Sequence, residues 1–403
     1  MIKTNKTADV SEGSERLPRN VWALSWVAFF NDTSTEMSYW LLPQFLIGVL
    51  GAGPMVFGLI EGAAETVSSF ARLLSGWLSD RFRTRKPLVA AGYTAANIVK
   101  PFLAVATTWG QVFCIRFTDR AAKGFRGAPR DALLADSVSP SQRGSAFGLR
   151  QAMDTAGAVL GPLAALALLP LFSGNLRTLF WLAAIPGAIC ILLVWLAVSE
   201  VRPSAQGSHG DASSQRVGEH GHTLLAAWNR TLVVMLVAVG LFSLGNSSDL
   251  FLILRAQNLG VRAALAPGLG LLFNLVYTSL SWPAGRLSDR IRRRTLVVLG
   301  YLTYSAVYLG FSLARGAQFA WLLFAVYGAY YAMTEGVLRA WIADLVPSSS
   351  RGSVFGVFNW VAGVAAFPAS LLAGWLWRHY SPATPFFISA LLSFGAALLL
   401  LLA

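Results

Sequence analysis

Twelve apolar stretches dominate the sequence, and each is close to the ~20 residues that a helix needs to cross a bilayer. Only 13% of the 403 residues are charged, about half the share in an average soluble chain. The sequence therefore predicts an all-α, multi-pass integral membrane protein whose first partner is the lipid bilayer. The stretches lie at about 20–48, 55–79, 87–108, 110–137, 143–171, 174–198, 225–254, 263–288, 295–314, 317–345, 351–377 and 383–403.

Basic residues between the apolar stretches predict the orientation. They cluster between the second and third stretches, Arg81 to Lys86, and between the eighth and ninth, Arg290 to Arg294. The opposite loops, such as 48–55, are nearly uncharged. Because basic loops stay on the cytoplasmic side, both termini are expected to be cytoplasmic. These basic loops account for the net charge of +13, so nucleic acid is not an expected partner. The polar residues 1–19 lack a signal-peptide pattern and are interpreted as a cytoplasmic tail.

An internal repeat divides the chain into two halves. "GWLSDRFRTRKPLVAAGY" at 76–93 matches "GRLSDRIRRRTLVVLGY" at 285–301, and "ADSVSPSQRGSAFG" at 135–148 matches "ADLVPSSSRGSVFG" at 343–356. Since six helices is an even number, the two copies have the same orientation, which predicts two parallel six-helix repeats. The predicted units are 20–198 and 225–403, joined by a cytoplasmic linker at 199–224.

Three motifs resemble those of major facilitator superfamily transporters. The loop with Gly76, Asp80, Arg81 and Arg85 resembles the family's motif A, and its copy contains Asp289, Arg290 and Arg294. Arg120 with Gly124 resembles motif B. Gly148, Gly157, Gly161 and Pro162 have the spacing of motif C, which is similar to that of antiporter branches. The chain looks like a poorly characterised prokaryotic branch of this family. The resemblance implies the twelve-helix family fold, a location in the prokaryotic inner membrane and transport by alternating access.

Two of these motifs have a mechanical interpretation. The motif A loops could bridge helix ends and close one face, with Asp136 pairing with Arg85 and Asp344 with Arg294. The alternative is that these basic residues only set topology. In motif C, the glycines lie close to one helix face and would let a neighbouring helix approach tightly, while Pro162 would bend the helix.

The fourth stretch is the most charged segment, with charges at 116, 119/120, 123, 126 and 130 on one helical face. A face this polar must line the interior. Acidic and basic interior residues of the first half are equal in number, which favours buried ion pairs over a positively charged site that binds anions. The residues expected to bind protons or substrate are Asp32, Glu36, Arg116, Asp119, Arg120, Lys123, Asp154 and Glu335. The alternative is that these pairs only hold helices together.

The functional expectation is a secondary antiporter that is proton-coupled, exports a small organic solute and acts as a monomer. One alternative is a proton-coupled importer of an organic anion or metal chelate, and another is a non-transporting membrane sensor. Neither an ATP-binding loop nor a nucleophile in a triad context is present, so an enzyme is not expected. No cofactor or metal is expected; His209, His220 and His222 are interpreted as part of a flexible polar linker rather than a metal site.

Overall fold

The computed structural model describes residues 17–82, 84–138, 142–201, 230–345 and 351–402. Within them there are α-helices, a π-helix at Gln44–Val49, 3-10 turns at Lys100–Ala104 and Ala263–Leu265, and no strand. The α-helices are α1 Arg19–Tyr39, α2 Pro54–Phe82, α3 Lys86–Val99, α4 Trp109–Asp136, α5 Arg143–Leu171, α6 Leu176–Leu182, α7 Ala184–Leu196, α8 Arg230–Gly245, α9 Leu250–Asn258, α10 Ala266–Arg290, α11 Arg293–Leu313, α12 Ala317–Leu345, α13 Arg351–His379 and α14 Thr384–Leu401.

Every one of the twelve apolar stretches contains a helix, and local chemistry explains where the helices break. Pro101 has no N–H to donate back to the Asn97 carbonyl, and α3 gives way to the 3-10 turn there. Pro186 has no N–H to donate to the Leu182 carbonyl, and α6 ends at Leu182. Between α8 and α9 the polar run Asn246–Asp249 interrupts the helix, because serine and asparagine groups compete for backbone hydrogen bonds.

By length and composition, six helices of the described chain are suited to cross a membrane, or seven if the bent pair α8 and α9 forms one span. The pair is bent by 40°. α4, with its eight ionisable residues, does not pass that test. The twelve-span count and the placement of the termini therefore remain predictions. The six segments are Ala146–Leu171, Leu176–Leu196, Ala263–Ser281, Arg293–Leu313, Val354–His379 and Thr384–Leu401.

The helices pack in the same pattern in both halves. In the first half, α1 packs on α5 and α2 packs on α4; the corresponding contacts in the second half are α8 with α13 and α10 with α12. Two large contacts cross between the halves, α2 with α13 and α5 with α10. Equivalent contacts in both halves are what the sequence repeat predicts. Residues 1–16 of the predicted N-terminal tail lie outside the described residues. Residues 202–224 of the predicted linker, which include its histidines, also lie outside them.

Candidate transport site

A cavity of about 750 Å³ lies between the two halves. Helices α1, α2 and α4 form its first wall, and the α8–α9 break, α10, α12 and α13 form the second. It extends to Gly76 near the end of α2, where motif A begins. At the other end the halves meet through aromatic rings, with Trp40 beside Phe273 and Phe57 edge-on to Phe251 at 5.0 Å between centroids. The cavity therefore reaches toward one end of the molecule and is closed at the other.

The charged face of α4 divides into two sets. Arg116, Asp119 and Arg126 are buried, with 4% to 6% of their surface exposed. Arg120 and Lys123 line the cavity instead. A helix that packs on both α2 and α3 presents one edge of its polar stripe to the bundle interior and the other to the space between the halves. The prediction that these residues avoid lipid is therefore consistent with their placement, although they do not form one site.

Glu61 of α2 holds Arg116 through a bidentate ion pair. The Nε and Nη2 atoms of Arg116 each donate to a Glu61 oxygen at 2.8 Å, and Asp119 lies 3.6 Å from Nη1. Ser248, in the other half, donates to Glu61 at 3.3 Å. Two parallel charge-assisted bonds fix a guanidinium in place. Arg116 and Asp119, both expected at the site, thus lie behind the cavity wall.

Asp32 and Asp154 lie side by side outside the cavity. The two carboxyl groups, on α1 and α5, are close enough for each charge to act on the other, and Lys123 is a basic neighbour of Asp32. Arg150 lies 3.6 Å from Asp154, and the side chain of Asn31 donates to Asp32 at 2.9 Å. Two carboxylates this close repel each other unless they share a proton. The arrangement is thus able to hold a proton near the cavity.

Glu36 lies one turn beyond Asp32 and lines the cavity. The indole N–H of Trp40, one further turn along α1, donates to Glu36 at 2.8 Å. Trp40 itself lies against Gly270 and Phe273 of the second half. Glu36 is therefore hydrogen-bonded to a residue of the contact that closes one end of the cavity.

The motif C glycines differ in their surroundings. A Cβ at Gly161 would lie 2.8 Å from both Glu36 Cβ and the Thr33 carbonyl oxygen, and a Cβ at Gly157 would lie 3.1 Å from Asp32 Cβ. These two glycines let α5 approach α1 at the two acidic residues. Gly148 has open space around its Cβ position, so the expected tight packing is wrong there. Pro162 lies inside an α5 that continues to Leu171.

The motif A loops form ion pairs within each half. Arg85 pairs with Asp136 and also donates to the Ala132 carbonyl at 2.7 Å, as expected from the sequence. In the second half, Arg293 rather than Arg294 pairs with Asp344, at 2.5 Å. Arg294 donates to the Leu401 carbonyl, because adjacent residues at the start of α11 point in different directions. Arg290 is exposed, and the side chains of Asp80, Arg81 and Asp289 lie outside the described structure.

Asp249 is the acidic centre of the second wall. It accepts hydrogen bonds from the Tyr327 and Tyr331 hydroxyls at 2.6 Å and 3.1 Å. Tyr331 lines the cavity, while Tyr327 is 1% exposed and belongs to the packed core. Glu335, which was expected at the site, lines the cavity and accepts from the Tyr277 hydroxyl at 2.8 Å. The sequence did not identify the helix break, although the polar run "NSSD" in an apolar stretch was its signal.

No cluster of three metal-ligating side chains occurs in the part of the chain that the structure describes. The cavity surface instead offers hydroxyl, amide, carboxylate, guanidinium and ammonium groups with aromatic rings. Such a surface can bind a small polar solute. A polar cavity between two repeated helical halves, reaching toward one end of the molecule, is typical of membrane transporters.

Comparisons with known proteins agree with this class. The Major Facilitator Superfamily model matches residues 24–368 and 235–403, and the chain belongs to this superfamily. It is 33% identical over 397 residues to an uncharacterized MFS-type transporter, MJ1317, of Methanocaldococcus jannaschii, covering 97% of this chain and 96% of the relative. It is 23% identical over 339 residues to the multidrug resistance protein MdtH of Salmonella newport, covering 81% and 79%.

A solved structure gives the same fold. The bacterial homologue of the human lysosomal transporter Spinster, in an inward-facing and unoccupied conformation, superposes with a TM-score of 0.71 at 15% identity. The match covers 97% of this chain and 96% of that one. The chain is therefore a multi-pass membrane transporter and not an enzyme.

Proposed function

We propose that this protein is a proton-coupled secondary transporter that exports a small organic solute across the prokaryotic inner membrane in exchange for protons. In this proposal the chain spans the membrane twelve times as a monomer, with both termini in the cytoplasm. The observation that carries the proposal is the pair of neighbouring carboxyl groups, Asp32 on α1 and Asp154 on the adjacent α5, one helical turn from the cavity-lining Glu36. A carboxyl pair that shares a proton gives the protein a proton-binding site beside the solute cavity.

The proton site is linked to the closed end of the cavity through α1. Asp32, Glu36 and Trp40 are spaced by four residues each and share one helical face. Trp40 donates to Glu36 and contacts the second half at Phe273. Proton loss or gain at the acidic residues changes the charge beside this contact. Such a change would bias the protein between conformations open to opposite sides.

Motif C supports export in exchange for protons rather than import. Gly157 and Gly161 place α5 directly on Asp32 and Glu36, so the antiporter-like motif lies at the proposed proton site. The name of MdtH, a multidrug resistance protein, is in keeping with export. The importer of an organic anion is less well supported, because the second wall of the cavity carries Asp249 and Glu335.

We infer that the motif A residues control the end of the cavity nearest Gly76. Arg85 with Asp136 and Arg293 with Asp344 tie the loops after α2 and α10 to the ends of α4 and α12. Each pair lies within its own half in this conformation, in which the cavity reaches the end nearest Gly76. Closing it would bring these loops together, and Asp80, Arg81, Asp289, Arg290 and Arg294 are proposed to take part.

Flux in proteoliposomes tests the proposal. The reconstituted protein is given a pH gradient, and proton movement is followed with an enclosed pH dye while organic solutes are added. Export by exchange predicts that a solute on one side drives protons in the opposite direction. Asp32→Asn, Asp154→Asn and Glu36→Gln should abolish proton movement, whereas Asp131→Asn, which alters a half-exposed carboxylate of α4, should retain it. Co-directional movement would indicate import, and flux without proton movement would refute the coupling site.

A further inference from the structure

The two walls of the cavity carry opposite net charge. The ionisable groups of the first wall are Arg72, Arg120 and Lys123 against Glu36, Glu65 and Glu61, and Glu61 is occupied by the buried Arg116. This leaves three positive groups and two negative ones facing the cavity. The charged groups of the second wall, among its described residues, are Asp249 and Glu335, with no lysine or arginine. Glu335 lies 3.5 Å from Arg339, so Asp249 carries the unpaired negative charge of this wall.

The positive groups of the first wall are free to bind an anion. Arg72, Arg120 and Lys123 form no ion pair within 4.0 Å in the described part of the chain. The Nε atom of Arg120 is buried and has no hydrogen-bond partner among the described residues. Glu65 is an acidic neighbour of all three, so its single charge is outnumbered. Guanidinium and ammonium groups in this state are strong donors to a carboxylate or phosphate.

Asp249 offers the complementary chemistry for a cation. Its two tyrosine bonds use two of the roughly four acceptor positions of a carboxylate, and it has no ion pair within the described residues. The ring of Phe273 lies 5.1 Å from that of Tyr331 and 5.6 Å from that of Tyr327. A carboxylate among aromatic rings is a surface that recognises ammonium groups, because ring faces attract cations.

We propose that the cavity binds a zwitterionic solute of amino-acid size, with its ammonium group at Asp249 and its anionic group at Arg120 and Lys123. Arg120 and Asp249 line the same cavity from opposite walls, so one small molecule can reach both. The volume of about 750 Å³ is in the range of small-molecule sites, roughly 300–1,000 Å³. This inference names the solute class of the proposed transport site and rests on that function.

The charge of each wall can be measured without knowing the solute. Ser248→Cys places a thiol on the second wall beside Asp249, and Ser69→Cys places one on the first wall between Glu65 and Arg72. Both variants are made in a Cys114→Ser background, since Cys114 is exposed and Cys190 is buried. The reaction rates with a cationic and an anionic methanethiosulfonate, each relative to free cysteine, report the local potential.

Opposite preferences are expected at the two positions. The cation-to-anion rate ratio should be about tenfold higher at residue 248 than at residue 69, given potentials of several kT in charged clefts. Asp249→Asn should remove the preference at residue 248. The same preference at both positions, or a higher ratio at residue 69, would overturn the proposal.

Binding is then measured by calorimetry on the purified protein, with no proton gradient. The probes are phenylalanine and leucine, their cationic methyl esters and their anionic N-acetyl forms. The zwitterions should bind about tenfold more tightly than either derivative, which corresponds to about 1.4 kcal/mol. Asp249→Asn should weaken binding of the zwitterion and the ester but not of the N-acetyl form, and Lys123→Met should weaken binding of the zwitterion and the N-acetyl form but not of the ester.

The outcomes separate this inference from the transport proposal. If neither zwitterion binds, or if an N-acetyl form binds most tightly, the zwitterion site is wrong even where protons drive flux. If the zwitterions bind with the expected variant pattern and no proton-driven flux occurs, the coupling proposal fails and the solute class stands.

Discussion

Replacing Gly161 by alanine tests the contact between α5 and α1 directly. The added Cβ would lie 2.8 Å from Glu36 Cβ, 2.8 Å from the Thr33 carbonyl oxygen and 2.9 Å from the Met37 nitrogen. Ordinary contacts between carbon atoms are about 3.5–4.0 Å, so the two helices must separate by roughly 0.7 Å or more. Overpacking of this kind costs about 1–3 kcal/mol.

Gly148→Ala is the matched control in the same helix. Its added Cβ would meet nothing within 4 Å. Both substitutions gain the same helix propensity, about 0.5–1 kcal/mol for alanine over glycine, so their difference isolates the steric term. We expect Gly161→Ala to be less stable than Gly148→Ala by about 1–3 kcal/mol.

The assay is unfolding in mixed micelles by increasing dodecyl sulfate, followed by loss of helical circular dichroism. Gly148→Ala should match or exceed the wild-type protein in free energy of unfolding. In proteoliposomes, Gly161→Ala should also reduce proton-coupled flux, because Glu36 moves with α1. Equal unfolding free energies for the two variants would refute the close contact and with it the structural role of motif C.

Three further substitutions have outcomes that follow from exposure and bonding. Glu61→Gln leaves the buried Arg116 without its bidentate partner and should cost about 3–5 kcal/mol; adding Arg116→Met should restore most of the unfolding free energy, and no restoration would argue against the pair. Arg293→Ala breaks an ion pair whose acidic partner is 58% exposed, so it should lower the free energy of unfolding by no more than about 1 kcal/mol. A larger loss, or one that persists at high salt, would contradict a surface pair. Tyr327→Phe removes a donor to Asp249 and should cost about 1.5–3 kcal/mol in the same unfolding assay; an unchanged midpoint would count against that bond.

Much of the fold follows from local sequence information. Apolar length predicted all twelve helical stretches, and the paired motifs "GWLSD" and "GRLSD", together with the two "RGS" motifs, predicted the relation between the halves. The boundaries agree within a few residues because charged and proline residues mark them locally. The break between α8 and α9 was not predicted, although its polar run is local. The Ser248 N–H there donates to the Oγ atom of Ser370, a residue distant in sequence.

The candidate site was only partly predictable. The sequence identified the ionisable residues of α4, because charge in an apolar chain is conspicuous. It could not tell that Arg116 turns toward Glu61 while Arg120 turns toward the cavity. Residues one turn apart on a helix share a face, and only the positions of α2 and α3 decide which part of that face is enclosed.

What the sequence determined by itself was the class of molecule: a helical membrane protein of two repeated halves, because the bilayer requires apolar length and the repeat is written in the residues. What the tertiary structure decided was the pairing of charges. Arg293 rather than Arg294 binds Asp344, Asp32 lies near Asp154 outside the cavity, and Asp249 faces the cations of the opposite half across one cavity. These relations join residues far apart in the chain, so they depend on how helices pack and not on any local pattern.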